Sequence, residues 1–326
     1  MPARDAADTV ALALRSVQRQ TFADWECVVV DDGSVDGTWA ELEVAARADE
    51  RVRLFRQDAL GVVAARNAGL AECRGEFVAL LDADDYMSRR RLERQVAVLD
   101  ANPSSAAVGC HMRVFPVSAQ QEGMRGYERW LNAIATADDV RRNAFVECPV
   151  AHSSLVVRTE VLRDLGYRDE GWPEDYDLVL RMLAAGHEIV MAPQRLLHWR
   201  RTKDGLSHTH ENYSIEAFTR CKADFLARGF LAGGDAYGLW GYGGTGKALR
   251  RALEAHGKSL AYVVEIDPRR VGQTIHGAPV IAPIALRDRE RVPLVVSVAG
   301  AQARRLIREV LADFGFEELR DYVVAA

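Results

Sequence analysis

Apolar runs that stop abruptly at carboxylates alternate, in the first part of the chain, with stretches of helical periodicity. "WECVVVDDG" (25–33) is a continuous apolar run ending in Asp31 and Asp32, the pattern of a buried parallel strand. "GTWAELEVAARAD" (37–49) reads as a helix, "RVRLFRQ" (51–57) as a short strand and "GVVAARNAGLAEC" (61–73) as a second helix. "EFVALLD" (76–82) is again a strand. "SRRRLERQVAVLDAN" (88–102) is helical, with Ser88 as its N-cap and Pro103 beyond its end. Repeated strand–helix units predict an α/β sheet covered on both faces. Ligands of such sheets sit at the carboxyl ends of the strands. Asp31, Asp32, Asp82, Asp84 and Asp85 all fall at strand ends and are expected to share one crevice.

The middle is less regular. "PVAHSSLVVRTEVLRDLG" (149–166) suggests a strand and then a helix. "PEDYDLVLRMLAAG" (173–186) is an amphipathic helix between Pro173 and Gly186, and "ENYSIEAFTRCKADFLARG" (211–229) is another. "AGGD" (232–235) reads as a junction, after which the pattern restarts. "AYGLWGYGGTGKALRRALEAHG" is strand, glycine-rich turn and helix. "SLAYVVEIDP" and "VPLVVSVAG" are further strands, and "AQARRLIREVLADFG" a further helix. The expected organisation is a larger α/β domain over 1–232 and a small one over 235–326.

Composition narrows the classes. The 326 residues are 48% hydrophobic and 27% charged, with a net charge of -5, and no basic stripe points to nucleic acid. The longest apolar stretches are strand-sized, so no bilayer span is expected, and "MPARDAADTV" has no secretory h-region. Five dispersed cysteines without CxxC spacing read as reduced thiols of a cytoplasmic protein, and a zinc site is not expected.

Candidate chemistry sits in three places. In Asp82-Ala83-Asp84, residues i and i+2 of an extended segment face one side, so two carboxylates converge where Mg²⁺ or Mn²⁺ could neutralise them. The competing reading is a solvated loop with Asp85 as a helix cap. Asp31 and Asp32 could accept hydrogen bonds from a base or ribose, or simply belong to a turn. Glu174 and Asp175 could stabilise a helix N-terminus, or one of them could be a general base.

Taken together, "QTFADWECVVVDDGSVDGT", "GVVAARNAGL", "GEFVALLDADD" and "EDYDLVLRMLAAG" occur in an order and spacing that resembles the family-2 glycosyltransferases of GT-A fold, over roughly residues 1–230. The resemblance implies a nucleotide-sugar donor, UDP by default, and inversion at the anomeric carbon. It implies a growing glycan or lipid-linked sugar as acceptor, with peripheral association at the inner membrane face. It assigns Asp31 and Asp32 to the nucleoside, and Asp82 and Asp84 to the metal–diphosphate. It makes Asp175 the base and puts Glu174 near the acceptor. Arg66 and Asn67, in the "ARN-x-G" segment, would support the donor or the metal loop, or else be a surface arginine and a cap. His198 would be a third metal ligand or a packing histidine. Trp199, Arg200 and Arg201 could meet diphosphate or acceptor, while Ser207, His208 and His210 would lie in a closing loop.

Two further expectations follow. "PARDAADT" normally follows a hydrophobic strand in the resembled family, yet only Met1 precedes Pro2. The first strand is therefore expected to be missing, with the true start upstream. Gly241, Gly243 and Gly246 match G-x-G-x-x-G between strand and helix, with Glu265 and Asp267 at the next strand end. This resembles the Rossmann-like domains appended to some bacterial sugar-modifying enzymes, and implies a nucleotide or NAD(H), or else tight packing alone. The alternatives to a transferase are a nucleotidyltransferase or a non-catalytic sugar-nucleotide or NAD(H)-binding protein. The former needs a basic glycine-rich triphosphate loop near the first strand, and "PARDAAD" is not one.

Overall fold

The structure is a computed structural model and describes residues 1–116, 122–201, 205 and 209–326. It divides into two compact units, one of Met1–Val140, Val150–Glu170 and Glu174–Gly205, the other of Arg141–Pro149, Gly171–Pro173 and Leu206–Ala326. Ser207 and His208 of the expected closing loop lie outside the described residues.

In the first unit the apolar runs become strands where sequence periodicity places them. β1 (Pro2–Ala3), β2 (Cys27–Asp32) and β3 (Val52–Gln57) form a parallel sheet. β2 is buried along its whole length, as a continuous apolar run requires. The helices α1 (Val10–Gln18), α2 (Thr38–Ala48) and α3 (Val62–Glu72) connect or flank these strands. A second sheet contains β4 (Phe77–Ala79), β5 (Tyr86–Met87), β6 (Ala107–Phe115), β7 (Val156–Arg158) and β8 (Ile189–Arg200), in the order β4-β7-β6-β8-β5. Its helices are α4 (Arg91–Ala101), α5 (Glu122–Leu131), α7 (Thr159–Leu165) and α8 (Glu174–Ala184). α6 (Ala137–Asn143) runs across the boundary between units.

β1, where the first strand is expected to be missing, is two residues long. Pro2 pairs with Val30 and Ala3 with Asp31, while the Met1 ammonium donates to the Val28 carbonyl at 2.8 Å. Beside it, a cavity of about 730 Å³ opens between β2 and β4, lined by Met1, Trp25, Val28, Leu70, Val78 and Leu80 among others. The long parallel pair β6–β8, which no sequence pattern announced, is the spine of the second sheet. Ser88 is not the cap of α4. That helix starts at Arg91, whose N–H donates to the Ser88 carbonyl at 3.0 Å.

The second unit carries β9 (Ala236–Trp240), β10 (Ser259–Val264), β11 (Thr274–Ile275), β12 (Ala278–Ile281), β13 (Leu294–Val296) and β14 (Tyr322–Val324) in the order β11-β12-β10-β9-β13-β14. All pairs are parallel except the β11–β12 hairpin. Its helices are α9 (Ile215–Arg228), α10 (Gly244–Glu254) and α11 (Ala301–Asp313). Ala223, Leu226 and Ala227 of α9, with Leu231, share one core with Tyr237, Leu239, Leu249, Val263 and Val295. The apolar face of α9 is buried in this C-terminal core, and the long segment of the second unit starts ahead of the junction expected at 232–235.

Candidate active site

Asp31 and Asp32 end β2 with their side chains turned inward. The Asp31 carboxylate accepts from the Ser34 hydroxyl and lies 2.9 Å from Arg56 Nε. Asp32 accepts from Gln57 Nε2 at 2.7 Å, Leu60 N at 2.9 Å and Gly61 N at 3.0 Å. Both residues therefore build the loops that leave β2 and β3. Gly33 is obligatory in that corner. Its φ is +69°, and a Cβ there would sit 2.8 Å from Ala59 N.

The carboxylates after β4 are held by different means. Asp85 is 1% exposed and accepts from the Ser153 hydroxyl at 2.6 Å and from Arg200 N at 2.7 Å. It begins no helix, so the helix-cap reading is set aside. Arg200 also donates from Nε to the Asp84 carbonyl at 2.8 Å, with its guanidinium over the Phe115 ring. β8 thus pins the Asp82–Asp85 loop. Burial, and next the charge of Asp82, push Asp84 up to about 6, and the same two causes with Asp84 push Asp85 well up. Such crowding of like charges suits a cation. Among the described residues no group of three or more His, Cys, Asp and Glu side chains is gathered as a metal cage. His198 stacks on Tyr86, centroids 4.2 Å apart, and its buried Nδ1 has no partner. That unpartnered nitrogen is the one feature of His198 that points to a ligand, and the Tyr86–His198 strand pair sets it in the fold next to the segment that carries the oxygen donors Asp82 and Asp84.

α3 and α8 bring the remaining residues together. Arg66 donates to the Glu174 carboxylate from one arm and reaches Asp82 at 3.3 Å with the other. Arg66 is no surface residue, with a side chain 9% exposed. Asn67 caps nothing. It stands inside α3, accepts from Tyr167 N and donates to Tyr167 O, each at 2.9 Å. Asp175 keeps part of its surface open while Glu174 is buried. Burial, and next the charge of Glu174, raise Asp175 to about 7, with Arg66 opposing the rise. Asp177 is fully buried between Arg168 at 2.7 Å and Arg181 at 2.6 Å, a structural use of the same motif. His210 accepts from Asn212 N at 3.3 Å, a local cap. Tyr167, His152 and Ser153 belong to this centre and carry no sequence motif.

In the second unit the glycine-rich turn follows β9, at the point where strand order reverses between β10 and β13. A Cβ on Gly246 would lie 2.3 Å from the Gly241 carbonyl, and one on Gly241 2.6 Å from Val298 Cγ2, so these two glycines serve close packing. Nothing stands within 4 Å of a Cβ on Gly243. Asp267 is paired with Arg269 at 2.9 Å, and Glu265 with Arg270 at 2.7 Å.

A parallel sheet and a mixed one, carboxylates at strand ends and Arg66 bridging Asp82 to Glu174 give an α/β unit with one charged centre. Comparison gives the family. A family model described as "Glycosyl transferase family 2" matches residues 1–166, and the chain belongs to that family as a glycosyltransferase. It is 30% identical to "Putative glycosyltransferase EpsE" of Bacillus subtilis, over 64% of this chain and 74% of the relative. It is 36% identical to "UDP-Glc:alpha-D-GlcNAc-diphosphoundecaprenol beta-1,3-glucosyltransferase WfgD" of Escherichia coli, over 33% of this chain and 43% of the relative. Among solved structures, the mannosyltransferase PcManGT from Pyrobaculum calidifontis, in complex with GDP-Man and Mn²⁺, superposes with a TM-score of 0.52. It is 21% identical, over 78% of this chain and 67% of that one. The GT-A fold expected from the four motifs is borne out by this likeness.

Proposed function

We propose that the first unit is an inverting, metal-dependent transferase that moves a sugar from a nucleoside-diphosphate donor, UDP-linked in the first instance, to a hydroxyl of a glycan or lipid-linked acceptor. The observation that carries the reading is Arg66, one guanidinium reaching both Asp82 and Glu174. The loop suited to a metal–diphosphate and the helix bearing the base are thus a side chain apart. Asp175 takes the acceptor proton, and its raised proton affinity suits that work near neutral pH. Glu174, neutralised by Arg66, lines the acceptor side. Asp82 and Asp84, with His198 Nδ1, would hold a Mn²⁺ or Mg²⁺ ion, which neutralises charge on a departing diphosphate when bound. Asp31 and Asp32 support nucleoside binding by fixing Ser34 and the Leu60–Gly61 segment. Membrane contact would be peripheral, since no helix among the described residues is long and apolar enough to cross a membrane.

For the second unit we propose a nucleotide or NAD(H) phosphate over Gly243. The switch-point position of the turn and the open space there support this. The test of the main reading is release of nucleoside diphosphate from a panel of UDP-, GDP- and dTDP-sugars, with Mn²⁺ and with EDTA. Sugar-dependent release that EDTA stops is expected. Release unaffected by EDTA, or none from any donor, overturns it.

A further inference from the structure

The turn joining α7 to the segment before α8 is clamped from several directions. Gly166 ends α7 at φ +56°, and Arg181 of α8 donates to the Leu165 and Gly166 carbonyls, each at 2.7 Å. The next residue, Tyr167, has both its backbone groups taken by the Asn67 side chain of α3. Its hydroxyl lies 2.9 Å from His152 Nε2, and its ring is 5% exposed. Main chain and hydroxyl are therefore fixed from two directions, by Asn67 of α3 and by His152, and the ring is buried. The ring centroid lies 5.4 Å from the guanidinium carbon of Arg66. A cation over a ring face in a desolvated setting is held by the quadrupole and by exclusion of other positions.

We propose that Tyr167 is a positioning residue for the transfer reaction. It fixes Arg66 between Asp82 and Glu174, so that Glu174 stays charge-paired and Asp175 is the carboxylate left to take the acceptor proton. This rests on the reading of Asp175 as the base. An Arg66 free to swing would leave Glu174 to compete with Asp175 for a proton and would let the Asp82 loop and α8 move apart. The charged and titratable groups that face Asp175 are Glu174 on its own helix, Arg66 on α3, Asp82 after β4, and Tyr167.

The experiment uses the full chain and the best donor from the panel. Tyr167→Leu removes the platform, Arg66→Gln the charge, and Arg66→Lys keeps a charge without the fork. Misplacing a reacting group by about an ångström can lower rate ~100-fold, so kcat of Tyr167→Leu should fall ~10- to 100-fold with donor KM little changed. The acidic limb of its pH profile should move to higher pH, because Arg66 holds Asp175 down. Arg66→Gln should move the limb the same way and Arg66→Lys should restore most of it. Carboxyl titration by NMR on ¹³C-aspartate protein without metal, with Asp175→Asn for assignment, should report the same shift without turnover. A folded Tyr167→Leu whose pH limb and Asp175 titration match the unaltered chain overturns the proposal, as does an activity loss equal at every pH. If Tyr167→Leu does not fold, Arg66→Gln decides, and an unmoved titration there overturns it. Absence of turnover in the unaltered chain would sink the transferase reading, while the titration would still judge Tyr167.

Discussion

Glu174 and Asp175 differ by one methylene and are neighbours on the first turn of α8, yet their surroundings set them apart. Glu174 is buried and ion-paired with Arg66, while Asp175 is partly open and raised to about 7. Asp175→Asn should abolish transfer, a loss of ~10²–10⁴-fold for a general base, with nucleoside diphosphate affinity by calorimetry near that of the unaltered chain. Lost affinity would instead make Asp175 a donor ligand. The base must be ionised, so turnover should climb with pH through about 7 and level above it. Stability runs the other way. A carboxyl whose folded value exceeds its unfolded value binds more protons when folded, so its contribution is lost as pH rises. For Asp84 and Asp175 that window spans roughly pH 4 to 7. Metal-free protein should therefore lose melting temperature across it more steeply than an Asp84→Asn/Asp175→Asn variant, and Mn²⁺ should flatten the slope. Equal slopes in both proteins would refute the raised values. The candidate base and metal carboxylates were legible because they sit in short local patterns. Tyr167 and His152 were not, because each acts through a contact made far along the chain, and neither has a neighbour that marks it.

At the level of elements, α4 fastens the segment that leads into Asp82. Gln95 Nε2 donates to the Val108 carbonyl at 2.9 Å and to the Ser154 carbonyl at 2.8 Å. Its Oε1 accepts from Arg91 Nε at 2.8 Å, and Arg91 Nη2 donates to the Leu80 carbonyl at 3.0 Å, just ahead of Asp82. All of these side chains are buried. Gln95→Leu keeps the volume and removes the hydrogen bonds, leaving two carbonyls and an arginine nitrogen without their partner. With ~1–3 kcal/mol for each buried orphan group, unfolding free energy should fall by at least ~2 kcal/mol, read from the midpoint of urea denaturation. A change near zero would mean that water replaces the amide. The same sheet explains why the middle of the chain resisted reading. β8 is interrupted by exposed Pro193, Gln194 and Arg195, and its register against β6 shifts between Cys110 and Met112. A strand with a polar break and a bulge loses its apolar continuity. The strand β2, unbroken and followed by turn residues, kept its own.

On the scale of the whole molecule, the sequence marked a junction at the glycines around 233, where the pattern of strand and helix restarts. The core marks a different one. Small polar-flanked glycines signal a turn, but whether a helix before that turn belongs to one core or the next depends on which face is buried, and α9 offers an apolar face that either unit could cover. Among the described residues, Leu226, Leu231 and Ala223 are at most 1% exposed and pack with β9, β10 and β13 of the second unit. A fully buried leucine side chain contributes ~1.5–3 kcal/mol. Removing the two leucines, Leu226 on α9 and Leu231 just after it, should therefore withdraw ~3–6 kcal/mol, against a total near ~5–15 kcal/mol for a domain. A fragment spanning 209–326 should fold, with a cooperative melt by circular dichroism and a monomeric or discrete profile in size exclusion. A fragment spanning 235–326 should aggregate or melt without cooperativity, because Tyr237 and Leu239 would then face water where α9 had covered them. Lys222 Nζ, which donates to the Ala325 carbonyl at 3.4 Å, is a further tie lost in the shorter piece. Equal melting temperatures for the two fragments would show that α9 merely rests on the second unit, and would return the boundary to the glycines.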